Sequence, residues 1–236
     1  MTDDVDRIAR ERLAADEARI TGSHRRNLSL PGAGSAFWRH PSPWLLSGFL
    51  LLSAVARTVV GGGSWWELLI PVALVAFFPV IEWVIHVGIL HWRPRHVGPV
   101  QVDSLLARKH REHHADPRDL PLVFIPWPVL TWLLPAYVVI ALLAIPSAPA
   151  AWTLLVSVYA VMFGYEWTHY LIHSDHRPRT RAYRAVWRNH RLHHYKNEHY
   201  WFTVTTAGTA DRLFGTHPDP ETVPTSPTAK NLHGAG

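Results

Sequence analysis

Apolar residues along this chain gather into four long blocks, with short or strongly polar segments between them. The blocks are PWLLSGFLLLSAVARTVV (43–60), WWELLIPVALVAFFPVIEWVIH (65–86), PLVFIPWPVLTWLLPAYVVIALLAI (121–145) and AAWTLLVSVYAVMFGYEWTHYLIH (150–173). Each is about 18 to 25 residues long, matching the ~20 that an α-helix needs to cross the hydrocarbon layer of a bilayer. A chain of 236 residues cannot wrap four such helices in a soluble core. The first block is the weakest, because it is short and holds Arg57 near its end. The connectors GGGS (61–64) and PSAPA (146–150) are short, so the blocks pair as two hairpins. The pattern therefore predicts an all-α, polytopic membrane protein with four transmembrane helices and a helical cap at one face. Residues 1–42 form a polar N-terminal segment that includes the charged helical stretch DDVDRIARERLAADEARI, and 43–216 form the membrane domain. The last stretch, HPDPETVPTSPTAKNLHGAG (217–236), is rich in Pro, Thr and Gly and is expected to be a disordered tail.

Charge gives the orientation. Neither hairpin connector contains Lys or Arg. Of the 23 Lys and Arg, seven precede residue 43, six lie in 93–118 and nine in 177–230, and only Arg57 falls elsewhere. By the positive-inside rule both termini and the middle loop are cytoplasmic. No cleavable signal peptide is visible. The net charge of +5 follows from this topology and is no sign of nucleic-acid binding; no aromatic-and-basic binding motif accompanies it. The absence of cysteine excludes disulfides, zinc–thiolate sites, iron–sulfur clusters and cysteine nucleophiles.

Histidine carries the candidate chemistry. HREHH (110–114) and HRLHH (190–194) both read HxxHH, and on a helix positions i, i+3 and i+4 fall on one face. Shuffling the histidines at random would produce roughly 0.1 such triplet, so two call for a physical reason. Two pairs lie where the second and fourth blocks leave the membrane: His86 with His91, and His169 with His173. The second pair is i, i+4. The first is i, i+5, about 140° apart on an ideal helix, so the helix is expected to end or bend near Gly88. The topology brings all four groups to the cytoplasmic face. The expected metal ligands are His86, His91, His110, His113, His114, His169, His173, His190, His193 and His194. Ten imidazoles suit two metals with about five each, and neutral imidazole binds Fe, Zn and Cu. His24, His40, His96, His217 and His233 have no partner at ligand spacing and read as surface residues; His176 and His199 lie close enough to be supporting groups.

Two acids lie inside apolar blocks, where they are costly. Glu82 precedes His86 by four residues, and Glu166 precedes His169 by three. Each is placed to accept an imidazole N–H and fix the ligand tautomer; interfacial hydration or direct ligation are the other readings. Asp175, Asn189, Asp103 and Asn197 are further supporting candidates.

Together, HxxxxH (86–91), HREHH, HYLIH (169–173) and HRLHH resemble the fatty acid hydroxylase and sterol desaturase superfamily of membrane di-iron enzymes. EWVIHVGILH, YEWTHYLIH, HHYKNEHYWFTVTT and DRLFGT (211–216) carry the same wording. The resemblance runs over roughly 80–216 and is strongest to fatty acid hydroxylases. It implies that the ten histidines bind two iron ions, with zinc a possible substitute, and that O2 is the co-substrate for hydroxylating a C–H bond on a lipid chain. An unactivated C–H bond resists acid–base chemistry, so an oxidant derived from O2 is the natural solution. Nothing resembles a fused cytochrome b5 domain or a dinucleotide fingerprint, so a separate donor, cytochrome b5- or ferredoxin-like, is expected. The run RPRTRAYRAVWR (177–188) could dock that donor, although positive-inside bias explains it equally well. Desaturation of a lipid or sterol and carotenoid or sphingoid-base hydroxylation are alternatives within the superfamily. A metal transporter or sensor is the alternative from another class, but it would need ligands at mid-membrane rather than at one face.

Overall fold

The computed structural model describes residues 28–234. The charged helical segment expected at the N-terminus lies outside this range. Nine helices are found among the described residues: α1 (Leu30–Phe37), α2 (Pro41–Val60), α3 (Leu69–Ile85), α4 (Leu105–Ala115), α5 (Leu120–Val123), α6 (Trp127–Ala144), α7 (Ala148–His173), α8 (Arg181–Tyr195) and α9 (Thr209–Leu213). Four helical stretches are long and apolar enough to cross a membrane: Pro41–Val60, Trp65–Leu90, Leu120–Ala144 and Ala148–His173. The fold is thus the mostly helical, four-span architecture that the apolar blocks predict.

The spans pack through few residues and leave much apolar surface outward. Leu46, Leu130, Leu134, Leu155 and Tyr159 form a core where α2, α6 and α7 meet. The Tyr159 hydroxyl donates to the Leu134 carbonyl at 2.7 Å, so its polar end is satisfied inside that core. Leu51, Leu52, Val55 and Val59 on α2, and Val72, Val75 and Phe77 on α3, are exposed, as a lipid-facing surface requires. Arg57 does not weaken the first span, because it is matched. Its Nη2 meets Glu67 at 3.1 Å and its Nε donates to Thr153 at 2.9 Å, while Thr153 in turn donates to Glu67 at 2.8 Å. This cluster ties α2, the start of the second span and α7 together beside the Gly61–Gly63 connector, whose three glycines all take positive φ.

At the opposite end the spans continue into the cap. α1 is started by Ser29, whose hydroxyl accepts from Gly32 N, and it buries Phe37 among Trp38, Phe124, Phe163, Trp167 and Tyr170. α4 and α8 are capped in the same way by Ser104 and Thr180. Two features depart from the sequence expectation. A small antiparallel hairpin pairs Arg95–Val97 (β1) with Val100–Val102 (β2) around Gly98, whose φ of 60° suits the turn. And the stretch 217–234, expected to be disordered, packs onto the cap: Val223, Ala229 and Leu232 are buried. Composition understated it because a few apolar anchors and backbone bonds suffice to hold a short segment against a preformed surface.

Candidate metal centre

All ten expected ligands converge into two compact groups. His86, His91, His110, His114 and His193 form the first; His113, His169, His173, His190 and His194 form the second. Within each, one ligand nitrogen per residue lies within 4.8 Å of all the others, and every ring but His91 is buried. The HxxHH triplets are not units. His110 and His114 serve the first group while His113 serves the second, and on α8 His190 and His194 serve the second while His193 crosses to the first. Each cap helix therefore contributes to both groups, and each span exit completes one of them.

The i, i+5 pair is accommodated without ending the helix. Residues His86–Leu90 form a π-helical turn, closed by His91 N donating to His86 O at 2.9 Å. Adding one residue to the turn brings positions five apart toward one face. The rings of His86 and His91 accordingly stand 5.0 Å apart.

Backbone carbonyls orient the rings. Nδ1 of His86 faces Phe202 O at 2.5 Å, His114 faces Ala229 O at 3.0 Å, His169 faces Val123 O at 3.0 Å and His193 faces Tyr200 O at 2.8 Å. A carbonyl only accepts, so Nδ1 carries the proton in each case and Nε2 is a bare lone pair. The expectation that Glu82 and Glu166 would do this directly is corrected. Glu82 accepts from Thr205 N and Thr205 Oγ1, both at 3.0 Å, and Glu166 accepts from Ile125 N at 2.9 Å. Each acid therefore fixes a loop whose neighbouring carbonyl, Phe202 or Val123, holds a histidine.

The remaining candidates separate. Asn189 donates to Thr203 O at 2.9 Å, steadying the 200–205 loop. Asp103 pairs with Arg111 at 2.6 Å, and Arg111 also reaches Trp92 O. Asn197 donates to Pro224 O, whereas Asp175 faces Arg118 at 3.5 Å. His176 turns to Leu28 O, and His199 pairs with Glu198 at 3.6 Å. His40 stacks on Phe124, and His233, read from sequence as a surface residue, bonds to His91 O.

Asp211 and Trp201 are the groups that sequence reasoning missed. Asp211 is fully buried and accepts from Phe202 N, Thr203 N, Thr203 Oγ1 and Thr216 Oγ1. Trp201 adopts φ 56°, uncommon for a bulky residue, and the carbonyls on either side of it are those that hold His193 and His86. Their only sequence signal is membership of the quoted HYWFTVTT and DRLFGT stretches.

The donor set fits metal ions. Nε2 of His193 and Nε2 of His114 lie 3.2 Å apart although both are bare, so no hydrogen bond joins them. Two facing lone pairs repel unless a cation is shared. In the second group His190 Nε2 meets His169, His173 and His194 at 2.9–3.1 Å, and His113 has no hydrogen-bond partner on either ring nitrogen despite its burial. Burial holds His110, His113, His190, His193 and His194 well below the usual histidine range, reinforced by neighbouring imidazoles, and holds His114 at about 4, where the Ala229 carbonyl and Glu198 work against burial and the His233 imidazole adds to it. They are neutral at pH 7 and free to donate to a metal.

Comparison with known proteins agrees with this geometry. The fatty acid hydroxylase family matches residues 71–216, which is more than half of the chain. A solved structure described as full-length scs7p, with only its hydroxylase domain visible, superposes with a TM-score of 0.63 at 20% identity. The alignment covers 78% of this chain and 69% of that one, and at such identity it speaks for the fold. No curated protein matches the chain.

Proposed function

The chain belongs to the fatty acid hydroxylase family and is an oxidoreductase of that kind; on this footing we propose that it hydroxylates a C–H bond on a lipid acyl chain, using O2 at a centre of two iron ions. Each group of five histidines holds one ion. The observation that carries the reading is the facing of bare imidazole nitrogens in two buried groups at the exits of two spans. Iron bound there supplies the redox chemistry that turns O2 into an oxidant strong enough for an unactivated C–H bond. Zinc can take the same imidazoles on purification but has no redox chemistry to offer.

The protein's own residues do the positioning. Phe202, Tyr200, Val123 and Ala229 lock four rings by their carbonyls, so the ligands need no reorganisation on binding. The spans end at the histidines, so an acyl chain lying among them reaches the centre from the lipid side, while the cap keeps water from the other. The positive-inside pattern supports a centre on the cytoplasmic side, within reach of a cytochrome b5- or ferredoxin-like carrier that delivers electrons. Lipid mass spectrometry of expressing cells grown under ¹⁸O2 tests the reading. A lipid that gains one labelled oxygen supports it; loss of two hydrogens without label makes the enzyme a desaturase.

A further inference from the structure

Beyond residue 216, where the family match ends, the chain turns back over the histidine centre. Three bonds fasten it to the end of α8. Ser226 N donates to Lys196 O at 2.8 Å, Asn197 Nδ2 donates to Pro224 O at 3.3 Å, and Thr228 Oγ1 donates to the buried Glu198 at 2.5 Å. The buried side chains of Val223, Ala229 and Leu232 anchor the same stretch.

Two further bonds reach the ligands themselves. Ala229 O accepts from His114 Nδ1 at 3.0 Å. Arg93 Nε donates to His233 Nδ1 at 3.1 Å, which leaves the His233 proton on Nε2, and that nitrogen donates to His91 O at 2.8 Å. His233 makes this contact from a left-handed backbone, φ 64°, a conformation that costs a non-glycine residue free energy and persists where surrounding contacts enforce it. His91 closes the π-helical turn, so the His233 bond steadies the end of the turn that aims both His86 and His91. Both ligands reached, His91 and His114, belong to the first group.

We infer that residues 223–233 are a strap that secures the metal position of the first group and leaves the second to the cap helices and spans. The strap offers no atom to the metal. Ala229 and His233 are positioning residues, acting through the Nδ1 proton of His114 and the backbone of His91. This rests on the reading that each five-histidine group holds one ion.

The test loads purified full-length protein with zinc, a redox-silent probe that imidazole sites accept. It compares zinc content and the rate of zinc loss to a chelator with those of a chain ending at Glu221, of His233→Ala and of His233→Gln. Full-length protein is expected to hold about two zinc ions per chain, and the shortened chain about one. In His233→Ala one zinc leaves about 10-fold faster than in the parent. His233→Gln keeps an N–H for the His91 carbonyl and restores slow release. Two ions lost at the parent's rates from both the shortened chain and His233→Ala would overturn the strap and leave the metal reading intact. A folded shortened chain that loses both ions alike would also overturn it. Full-length protein without zinc would overturn the metal reading and the strap with it. If shortening abolishes the helical circular dichroism, release from His233→Ala decides alone.

Discussion

His113 and His114 are neighbours in sequence but serve different groups: His114 approaches His193 Nε2 to Nε2 at 3.2 Å, while His113 stands against His173 with ring centres 4.4 Å apart. Adjacent positions on a helix diverge by about 100°, so one turn of α4 reaches into two sites. His113→Ala and His114→Ala should each lower bound metal from about two toward one per chain, and the double variant toward none. Elemental analysis of the purified variants checks this. Loss of both metals from either single variant would mean that the groups are not separate sites.

The two membrane-buried acids act through loops. The structure places Glu166 on Ile125 N and Glu82 on Thr205 rather than on imidazoles. Glu166→Gln keeps an acceptor for Ile125 N and should retain metal and activity within about 3-fold. Glu166→Leu leaves that N–H unpaired at a cost of about 1–3 kcal/mol and loosens the loop whose Val123 carbonyl holds His169. Its metal affinity should fall about 10-fold or more. Equal failure of both variants in metal titrations would instead make the carboxylate a direct ligand.

Asp211 holds the 200–205 loop by three donors, from Phe202 and Thr203, and accepts a fourth bond from Thr216 Oγ1. Asp211→Ala strands two backbone N–H groups and should cost about 3 kcal/mol or more, which for a chain of this size is a Tm drop of about 10 °C. Because Tyr200 O and Phe202 O both orient first-group histidines, that group should lose metal first. Thermal denaturation and zinc content measured together check the coupling.

Burial holds the cap histidines neutral, which gives the metal-free protein a pH dependence of defined sign. The folded chain resists protonation of His114 down to about pH 4, whereas an unfolded histidine titrates near 6.5. Between those values the unfolded state binds more protons, so stability falls as pH falls. The Tm of metal-free protein should be flat above about pH 7 and decline steadily from about 6.5 toward 4. A Tm unchanged down to pH 5 would contradict the neutral, buried assignment.

Most of the fold and the convergence of the ten histidines could be read from residue order. The spans are legible because a bilayer demands long apolar runs, and the ten histidines because ligand spacing on helices is periodic. What residue order does not carry is how the triplets divide. His110, His113 and His114 look like one set along α4, and only the packing of α4 against α8 and the span exits assigns them to two groups. The groups that fix the tautomers were equally hidden, since a carbonyl such as Phe202 O or Ala229 O belongs to every residue type. Acids are conspicuous in a membrane span, and that drew Glu82 and Glu166 one step closer to the rings than they are. The stretch after 216 misled in the opposite direction: its Pro and Thr content suggests disorder, while its bonds to Lys196, Glu198, His114 and His91 hold it in place.

The most direct test of the hydroxylase reading is ¹⁸O2 labelling of lipids in cells expressing the intact protein or His190→Ala. His190 meets three other histidines of the second group and is fully buried. The intact protein should yield a lipid carrying one ¹⁸O that is absent with His190→Ala. An equally labelled lipid from His190→Ala, or unlabelled unsaturation from the intact protein, would contradict hydroxylation at this centre.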